Sequence, residues 1–310
     1  MLKITKVNAL RVLITGSTGS LGKNLVIPTS IIPILLSSKD ANLTDREQVR
    51  KVFEKYRPDS VIHLAAMCGG RQLSIEKPAD LLTENTLMAI NIAESAREFG
   101  IKRVGFALSG AAYTSSFNIM RKEEDLHDGP LVAEDYAYGY AKRFTEVLVR
   151  SFNSQFDLDF YCFVVNGVIG NNMNYEESKS IVIASLIQRV FLNLETANSI
   201  EVWGDGTPLR QYTWAGDLSQ NIFWCHNNQK KSTTLNIGTN EVVSIRDCAE
   251  IICKYFNVPK NRLVFNNKKG NGKMSQLTDN SEFVRESGFK FRDFDSSIRE
   301  VITNFILINK

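Results

Sequence analysis

Short apolar runs alternate with amphipathic stretches over the first half of the chain. The apolar runs, each of which predicts a buried strand, are residues 10–15, 31–36, 60–66, 103–108 and 158–165. Between these runs, residues 45–56 and 81–99 carry apolar side chains at helical spacing. Alternating buried strands and helices indicate an α/β fold with a doubly wound parallel sheet of the Rossmann type.

The second half has a different pattern. We expect helices at residues 247–256, 283–288 and 296–306, and a mobile loop rich in Lys, Asn and Gly at residues 267–280. We therefore predict a dinucleotide-binding domain over residues 9–170, completed by parts of residues 200–240. Residues 171–310 would mainly form a smaller α/β substrate-binding cap, built from segments inserted after the sheet.

A glycine-rich segment follows the first predicted strand directly: Gly16, Ser17, Thr18, Gly19, Ser20, Leu21 and Gly22. Glycine recurs at intervals of three. The first glycine permits a tight turn, the second lets the backbone approach a pyrophosphate, and the third lets helix and strand pack closely. An ordinary glycine turn is the alternative, but the position after the first strand favours a dinucleotide cofactor.

The connection to the second strand is unusually short. Only 17 residues separate Gly22 from Asp40, and they include Pro28 and Pro33. Proline is not tolerated inside a helix, so we expect a truncated first helix that ends near Ile27. Two parallel strands need a connection of about a dozen residues, and this one is close to that minimum.

The residues after the second strand indicate which dinucleotide binds. Ser38 and Lys39 offer a hydroxyl and a cation to the 2′-phosphate of NADP, whereas the adjacent Asp40 would favour the free 2′-hydroxyl of NAD. We predict NADP. Leu64, Ala65 and Ala66 end the third strand with side chains small enough to let a ribose pass, before a flexible loop at residues 67–70.

Candidate chemistry lies on a later helix. Tyr138 and Lys142 are four residues apart, hence on one helical face, where the ammonium can lower the phenol pKa of Tyr138. Such a phenol can protonate a carbonyl oxygen as a hydride reaches the carbon. Ser109, at the carboxyl end of the fourth strand, can donate a hydrogen bond to the same oxygen. Alternatively, Ser109 bonds only to its own backbone.

Composition restricts the other possibilities. With 37 basic and 34 acidic residues, the net charge of +3 gives no reason to expect a nucleic-acid partner. The five cysteines form no Cys-x-x-Cys pair, which argues against a metal site or disulfides and favours a reducing, cytoplasmic location. No apolar run is long enough to span a membrane.

Together these motifs resemble the GDP-L-fucose synthase family of extended short-chain dehydrogenases/reductases. The segments that carry the resemblance are SSKDANLTD at 37–45, HLAAMCGG at 63–70, HDGP at 127–130, YGYAKR at 138–143 and WGDGTPLRQ at 203–211. The resemblance implies an NADPH-dependent enzyme that epimerises GDP-4-keto-6-deoxy-D-mannose at C3 and C5 and reduces it at C4. It also implies a homodimer joined through the helices over 81–99 and 138–152.

The resemblance assigns a role to each matching residue. Tyr138 would donate the proton to the C4 oxygen, Lys142 would bind the nicotinamide ribose, and Ser109 would polarise the carbonyl. The residues implied to pass the nicotinamide are Val164, Val165, Asn166 and Gly167. Those implied to hold the GDP-sugar are Arg189, Trp203 and Arg210. From the residues alone, Arg210 suits a phosphate and Trp203 a sugar or base, although a hairpin with a surface arginine is an equal alternative.

The chain departs from the family at the epimerase positions. The family's catalytic cysteine and histidine are replaced by Ala111 and Ile181, neither of which can carry a proton. Val164 and Val165 replace the family's proline and threonine, and Gln276 replaces a lysine of the late loop.

The candidates to replace the missing acid and base are Cys68 and His127. We expect His63 and His226 to be structural. Three hypotheses follow: the full epimerase/reductase conversion, a C4-reductase alone, or a catalytically reduced protein that binds NADP or a nucleotide sugar.

Overall fold

The computed structural model describes residues 9–69, 71–115, 119–133, 136–171, 173–176, 180–196 and 198–309. Gly70, at the end of the loop that follows the third predicted strand, lies outside them. The strands are β1 (Leu10–Thr15), β2 (Ile31–Leu36), β3 (Ser60–His63), β4 (Arg103–Ser109), β5 (Asp159–Val165), β6 (Val168–Ile169), β7 (Ile200–Trp203), β8 (Leu209–Arg210), β9 (Thr213–Trp214), β10 (Thr234–Ile237), β11 (Val243–Ser244), β12 (Leu263–Asn266) and β13 (Ser275–Gln276).

α-Helices lie in half of the connections between successive strands and after the last strand. They are α1 (Arg46–Tyr56), α2 (Arg71–Glu76), α3 (Pro78–Glu98), α4 (Tyr136–Phe156), α5 (Val182–Leu192), α6 (Ala215–Asn228), α7 (Ile245–Tyr255), α8 (Ser281–Ser287) and α9 (Phe294–Asn309). The long helices α3 and α4 begin earlier than their apolar periodicity indicated. Sequence reasoning missed α5, α6 and β10.

Six strands form one central sheet in the order β10-β5-β4-β3-β1-β2, and every neighbouring pair is parallel. The chain passes from β1 to β2 on one side and then returns to β3 on the other side of β1. This reversal confirms the predicted doubly wound sheet. In such sheets ligands bind outside the carboxyl ends of the strands, at the point of reversal.

Each face of the sheet buries its own apolar layer. On one face, Phe53 of α1, Ile92 of α3 and Val149 of α4 pack with Phe106 and Phe160 of the strands. On the other face, helix α6 covers β1, β3 and β5, and Phe283 of α8 joins the same cluster. The sheet is therefore enclosed over most of its area, and its carboxyl edge stays available for a site.

A third apolar cluster lies among the later elements. Helices α5, α7 and α9 pack together with β7, which pairs in parallel with β12. A second small sheet has the order β11-β8-β13. Since β7 and β8 belong to different sheets, the hairpin alternative for residues 202–210 is wrong. The mobile-loop prediction for residues 267–280 is also corrected, because β13 lies within that range.

The β1–β2 crossover departs furthest from expectation. The predicted helix to about residue 27 is wrong, because the structure has only a three-residue 3-10 helix, Gly22–Asn24, followed by extended backbone at Leu25. Pro28 disfavours helical backbone at the preceding residue, Ile27. Too few residues lie between the end of the 3-10 helix and Pro28 to form another helical turn.

Strand β2 is an edge strand, and its proline takes the position that such a strand tolerates. Leu10 N–H donates to the Ser30 carbonyl, and Leu10 is in register with Ile31. The alternation of a parallel ladder then directs the backbone of Ile32 towards β1 and the nitrogen of Pro33 towards the open edge.

Strand β3 ends at His63, three residues earlier than predicted. The amide of Ala65 donates to Thr15 Oγ1 at 3.2 Å, and His63 Nδ1 lies 2.8 Å from the same hydroxyl. The Thr15 hydroxyl thus accepts from an amide that would otherwise continue the hydrogen-bond ladder between β1 and β3. Residues 64–66 therefore turn across the end of β1.

Candidate active site

Tyr138 and Lys142 lie on the first turns of α4, next to the carboxyl end of β4. The Lys142 ammonium donates to the Ala107 carbonyl of β4 at 2.9 Å. The same nitrogen lies 5.5 Å from the centroid of the half-buried Tyr138 ring. The helical spacing thus places the cation beside the phenol, as the sequence predicted.

Burial changes the acid–base behaviour of Lys142. The side chain is almost fully enclosed, and this desolvation lowers its pKa to about 8, although nearby Cys68 and Cys162 act in the opposite direction. Within the described ranges no carboxylate pairs with this ammonium. A cation in such a dry environment favours negative charge on a neighbouring group. The Tyr138 phenol is the neighbouring group on this helical face.

Ser109 caps the 3-10 turn Gly110–Ala112, and its Oγ accepts a hydrogen bond from Ala111 N–H at 3.2 Å. This contact matches the backbone-bonding alternative, but it uses a lone pair and leaves the hydroxyl proton to donate elsewhere. Helix α4 approaches this turn closely, since a Cβ at Gly139 would lie 2.5 Å from the Ala111 oxygen. Glycine therefore lets α4, which carries Tyr138 and Lys142, lie directly against the Ser109 turn.

The glycine-rich segment forms a tight loop. Gly16 has φ +73°, and a Cβ there would lie 2.7 Å from the Ala65 nitrogen. A Cβ at Gly22 would lie 2.3 Å from the Gly16 oxygen, whereas at Gly19 it would meet only that oxygen, at 3.3 Å. The loop is thus packed inwardly at Gly16 and Gly22 and open at Gly19. This is the shape that a dinucleotide diphosphate requires, and it brings Leu64–Ala66 beside the loop.

The turn after β2 orients its charges to suit a 2′-phosphate. The Asp40 carboxylate accepts from the Ser37 amide at 2.8 Å and from the Ser37 hydroxyl at 2.6 Å, and these bonds lower the pKa of Asp40. Ser38 and Lys39 are exposed at the tip of the turn. Asp40 is therefore directed back into the turn, and the predicted NADP-binding pair faces outward.

The segment Val164, Val165, Asn166 and Gly167 continues from β5. The Asn166 side chain is buried and donates to Gln211 and Thr278, each at 3.0 Å, and it accepts from Thr213 at 2.7 Å. The side chain of Asn166 thus fastens later segments to the sheet. A cofactor would meet Asn166 through its backbone.

The three predicted substrate residues fall into two groups. The Arg189 guanidinium lies 4.6 Å from the Trp203 ring centroid and donates to the Glu201 carbonyl at 3.2 Å. Lys269 also lies 4.6 Å from that centroid and pairs with Glu201 at 3.1 Å. Sequence reasoning missed both residues. The position of Lys269 beside Trp203 depends on the β7–β12 pairing, whereas Glu201 lies two residues from Trp203 on β7 and accepts from its Nε1–H at 3.0 Å.

Arg210 belongs to β8, away from Trp203. It donates to the Leu209 and Lys273 carbonyls, each at 2.7 Å, and is in register with Gln276 of β13. The Gln276 amide nitrogen would lie 3.4 Å from a Cβ at Gly110. Arg210 is therefore one strand away from a side chain that packs on the Ser109 turn.

The two positions at which the family would carry its epimerase acid and base hold apolar side chains here. Ala111 is buried in the 3-10 turn, and Ile181 is exposed immediately before α5. Of the proposed substitutes, His127 lies 2.7 Å from Glu146, two turns beyond Tyr138 on α4. Although the Cys68 residue is partly accessible to solvent, desolvation raises the pKa of its thiol, against the opposing effect of Lys142.

The two other histidines have structural contacts, as expected. His63 bonds to Thr15, and His226 lies 2.9 Å from the Tyr161 hydroxyl and 2.8 Å from the Ser60 hydroxyl. Burial lowers the pKa of His63 to about 3 and that of His226 to about 4, so both rings are neutral at physiological pH.

The described ranges contain no cluster of three or more His, Cys, Asp or Glu side chains able to hold a metal ion. They also contain no helix with the length and apolar character of a membrane span.

Comparison with known proteins agrees with this arrangement. The model of the NAD dependent epimerase/dehydratase family matches residues 12–238, which is more than half of the chain. The chain belongs to this family. The predicted family and the predicted dinucleotide-dependent enzyme are thereby confirmed.

Individual relatives match over nearly the whole chain. A GDP-L-fucose synthase of Dictyostelium discoideum is 28% identical over 87% of this chain and 86% of its own length. A probable GDP-L-fucose synthase of Drosophila melanogaster is 29% identical over 96% and 97%. The crystal structure of a GDP-L-fucose synthetase from Naegleria fowleri bound to NADP superposes with a TM-score of 0.89 at 28% identity, covering 97% of this chain and 94% of that one. The NADP of that relative agrees with the cofactor predicted from Ser38 and Lys39.

Proposed function

We propose that the protein is an NADPH-dependent oxidoreductase that reduces the C4 ketone of a GDP-linked 4-keto-6-deoxy sugar. The observation that carries the proposal is the pairing of Lys142 with Tyr138 on α4, held against the Ser109 turn. The names of the relatives support the GDP-sugar. The residues proposed for the cofactor are the glycine-rich loop, Ser38, Lys39, Leu64–Ala66, Val164–Gly167 and Lys142.

The chemistry divides between cofactor and protein. When bound, NADPH would supply the hydride that reduces the C4 carbon. Tyr138 donates its phenolic proton to the C4 oxygen, so the ketone becomes an alcohol, and the buried ammonium of Lys142 lowers the cost of the phenolate that remains. Ser109 donates a hydrogen bond to the same oxygen as charge develops on it. In this proposal Arg189, Trp203 and Arg210 hold the GDP-sugar.

Reduction without epimerisation is favoured by the two apolar positions. Exchange of a proton at C3 or C5 requires a base and an acid beside the sugar. Ala111 and Ile181 supply neither, and His127 is bonded to Glu146 instead. The full epimerase/reductase conversion is the second candidate, because the relatives named as GDP-L-fucose synthases match nearly the whole chain.

One reaction separates the candidates. Purified protein is mixed with NADPH and GDP-4-keto-6-deoxy-D-mannose in deuterated water, and both the nicotinamide absorbance and the NMR spectrum of the product sugar are followed. We expect NADPH oxidation with no deuterium at C3 or C5, and loss of oxidation in Tyr138→Phe. Deuterium at both carbons would support the full conversion. Binding without any oxidation would leave only a nucleotide-binding protein.

A homodimer joined through α3 and α4 is part of the proposal. Both helices expose apolar side chains, among them Leu82 and Leu87 on α3 and Phe144 and Val147 on α4. Light scattering after gel filtration should give twice the chain mass, and Val147→Glu should give the monomer. A monomeric wild type would contradict the dimer.

Three further predictions made from the sequence are also part of the proposal. They are the division into a cofactor domain over 9–170 with parts of 200–240 and a cap over 171–310, a cytoplasmic location, and no nucleic-acid partner.

A further inference from the structure

The cofactor loop lacks the helix that normally continues from it. In a dinucleotide fold the glycine-rich turn opens a helix, which fixes the loop and directs its positive end at the diphosphate. Here the helical segment that begins at Gly22 has three residues. Contacts other than those of a helix must therefore hold the glycine-rich loop in its conformation.

Asn24 supplies the first of these contacts. Its Nδ2 donates to the Ser20 carbonyl at 2.6 Å and to the Asn171 carbonyl at 2.7 Å, so each amide proton has an acceptor. Ser20 belongs to the glycine-rich loop, and Asn171 follows β6, just beyond the Val164–Gly167 segment. One side chain thus joins the diphosphate end of the site to the nicotinamide end.

Two further observations indicate that this contact is built into the fold. A Cβ at Gly170 would lie 2.7 Å from the Ala215 Cβ of α6 and 3.3 Å from Asn24 Cγ, so a glycine makes room both for α6 and for the amide. Beyond Asn24, the Ser219 hydroxyl accepts from Val26 N–H at 2.8 Å and lies 3.3 Å from the Val26 oxygen. Ser219 is fully buried on α6. Helix α6 therefore holds the extended chain that replaces the missing helix.

We propose that Asn24 is a positioning residue for NADPH that replaces the first helix of the fold. By bonding Ser20 and Asn171 together, it fixes the diphosphate loop relative to the segment that passes the nicotinamide. The inference rests on the proposed cofactor but not on the proposed sugar or on catalysis.

The test compares two ligands that use different parts of the site. NADPH spans the diphosphate loop and the nicotinamide segment, whereas adenosine 2′-monophosphate has neither a diphosphate nor a nicotinamide. The variant is Asn24→Leu, which keeps the size of the side chain and removes both donors. Kd is measured by NADPH fluorescence and by calorimetry for the monophosphate, without any sugar nucleotide.

We expect Asn24→Leu to weaken NADPH binding about tenfold, since two carbonyls lose their donor. Binding of the monophosphate should change less than about twofold. The matched control is Asn228→Leu, where an exposed amide on α6 donates to the Trp224 carbonyl at 2.8 Å, and both ligands should bind as in the wild type.

Two outcomes would overturn the proposal: unchanged NADPH affinity, or equal loss of both ligands, which would indicate general disruption. If Asn24→Leu fails to fold, Ser219→Ala decides, because it releases Val26 and should weaken NADPH binding selectively as well. Because no sugar is present, absence of reductase activity would not affect the result.

Discussion

Arg143 donates from Nε to the Ala112 carbonyl at 2.8 Å, which joins the helix of Tyr138 and Lys142 to the turn that follows Ser109. The same guanidinium donates to the Gly129 carbonyl at 2.8 Å and to the Asp128 carbonyl at 2.9 Å. The side chain is buried, and these three carbonyls lie in two separate loops. A planar fork of donors suits this arrangement, and a lysine could not reproduce it.

Arg143→Met should therefore lower the free energy of unfolding by roughly 3 kcal/mol, because one buried and two partly buried hydrogen bonds of a guanidinium are lost. Urea denaturation measures the change. The control is Arg150→Met on the same helix, where the arginine pairs with Glu146 at 2.7 Å and is 55% exposed. That change should cost less than about 1 kcal/mol. Equal effects of the two substitutions would contradict the role given to Arg143.

The pH dependence of the reaction should report Lys142. Its pKa is lowered by burial from 10.5 to about 8, so the ammonium beside Tyr138 is lost as pH rises through that value. We expect kcat/KM, which follows the free enzyme, to fall above about pH 8, and we expect no such limb in Lys142→Met. A rate that holds to pH 10 would contradict this assignment.

Deprotonation of Lys142 does not destabilise the folded protein, so unfolding caused by this titration cannot account for the expected fall in kcat/KM. Between about pH 8 and 10.5 the folded protein holds fewer protons at Lys142 than the unfolded chain does. The contribution of Lys142 to stability therefore rises with pH in that window, opposite to the expected loss of rate. Thermal denaturation at pH 7.5 and 9 separates the two effects.

The buried histidines predict acid sensitivity. His63 and His226 have pKa values lowered from 6.5 to about 3 and about 4, so only the unfolded chain binds these protons as pH falls below 6.5. The stability that depends on their neutral forms is complete above pH 6.5 and lost below it. We expect the unfolding free energy to be roughly 4 kcal/mol lower at pH 5 than at pH 7.5. Urea titrations at both values check this, and equal midpoints would refute it.

Restoring the missing acid and base should restore proton exchange. Ala111→Cys combined with Ile181→His introduces the two proton-carrying side chains that the resemblance to the GDP-L-fucose synthases implies at these positions. We expect deuterium incorporation at C3 and C5 to rise at least about tenfold over the wild type, since such groups contribute about 10²–10⁴-fold. NMR of the sugar product measures it, with each single variant as the comparison. Exchange in the wild type at the same rate would show that another residue already performs this step.

Local patterns predicted the central sheet well. The bounds of β1 and β2 agree with their apolar runs, and α1 begins after Asp45, whose carboxylate accepts from the Gln48 amide. The Tyr138–Lys142 pairing followed from helical spacing alone. These features depend on residues that are close in sequence, so the sequence contains their cause.

Pairings between residues that are far apart along the chain could not be predicted from the sequence. Strands β8 and β13 have two residues each and no periodicity, so nothing local shows that Arg210 lies in register with Gln276. The bonds from Asn166 to Gln211 and Thr278 likewise join segments that are 45 and 112 residues apart. The crossover was half predicted: Pro28 indicated a short helix, but the Asn24 and Ser219 contacts that replace it arise only in the folded chain.

The orientation of Pro33 has a consequence for solubility. Strand β2 is at the margin of the sheet and exposes Ile32 and Leu35, each about half accessible. An apolar margin with free amides would template a strand from another molecule, which is the usual start of aggregation. Pro33 presents a ring without an N–H on that side. Pro33 thus removes one hydrogen-bond donor from the open edge of β2 and disfavours the addition of a strand from another chain.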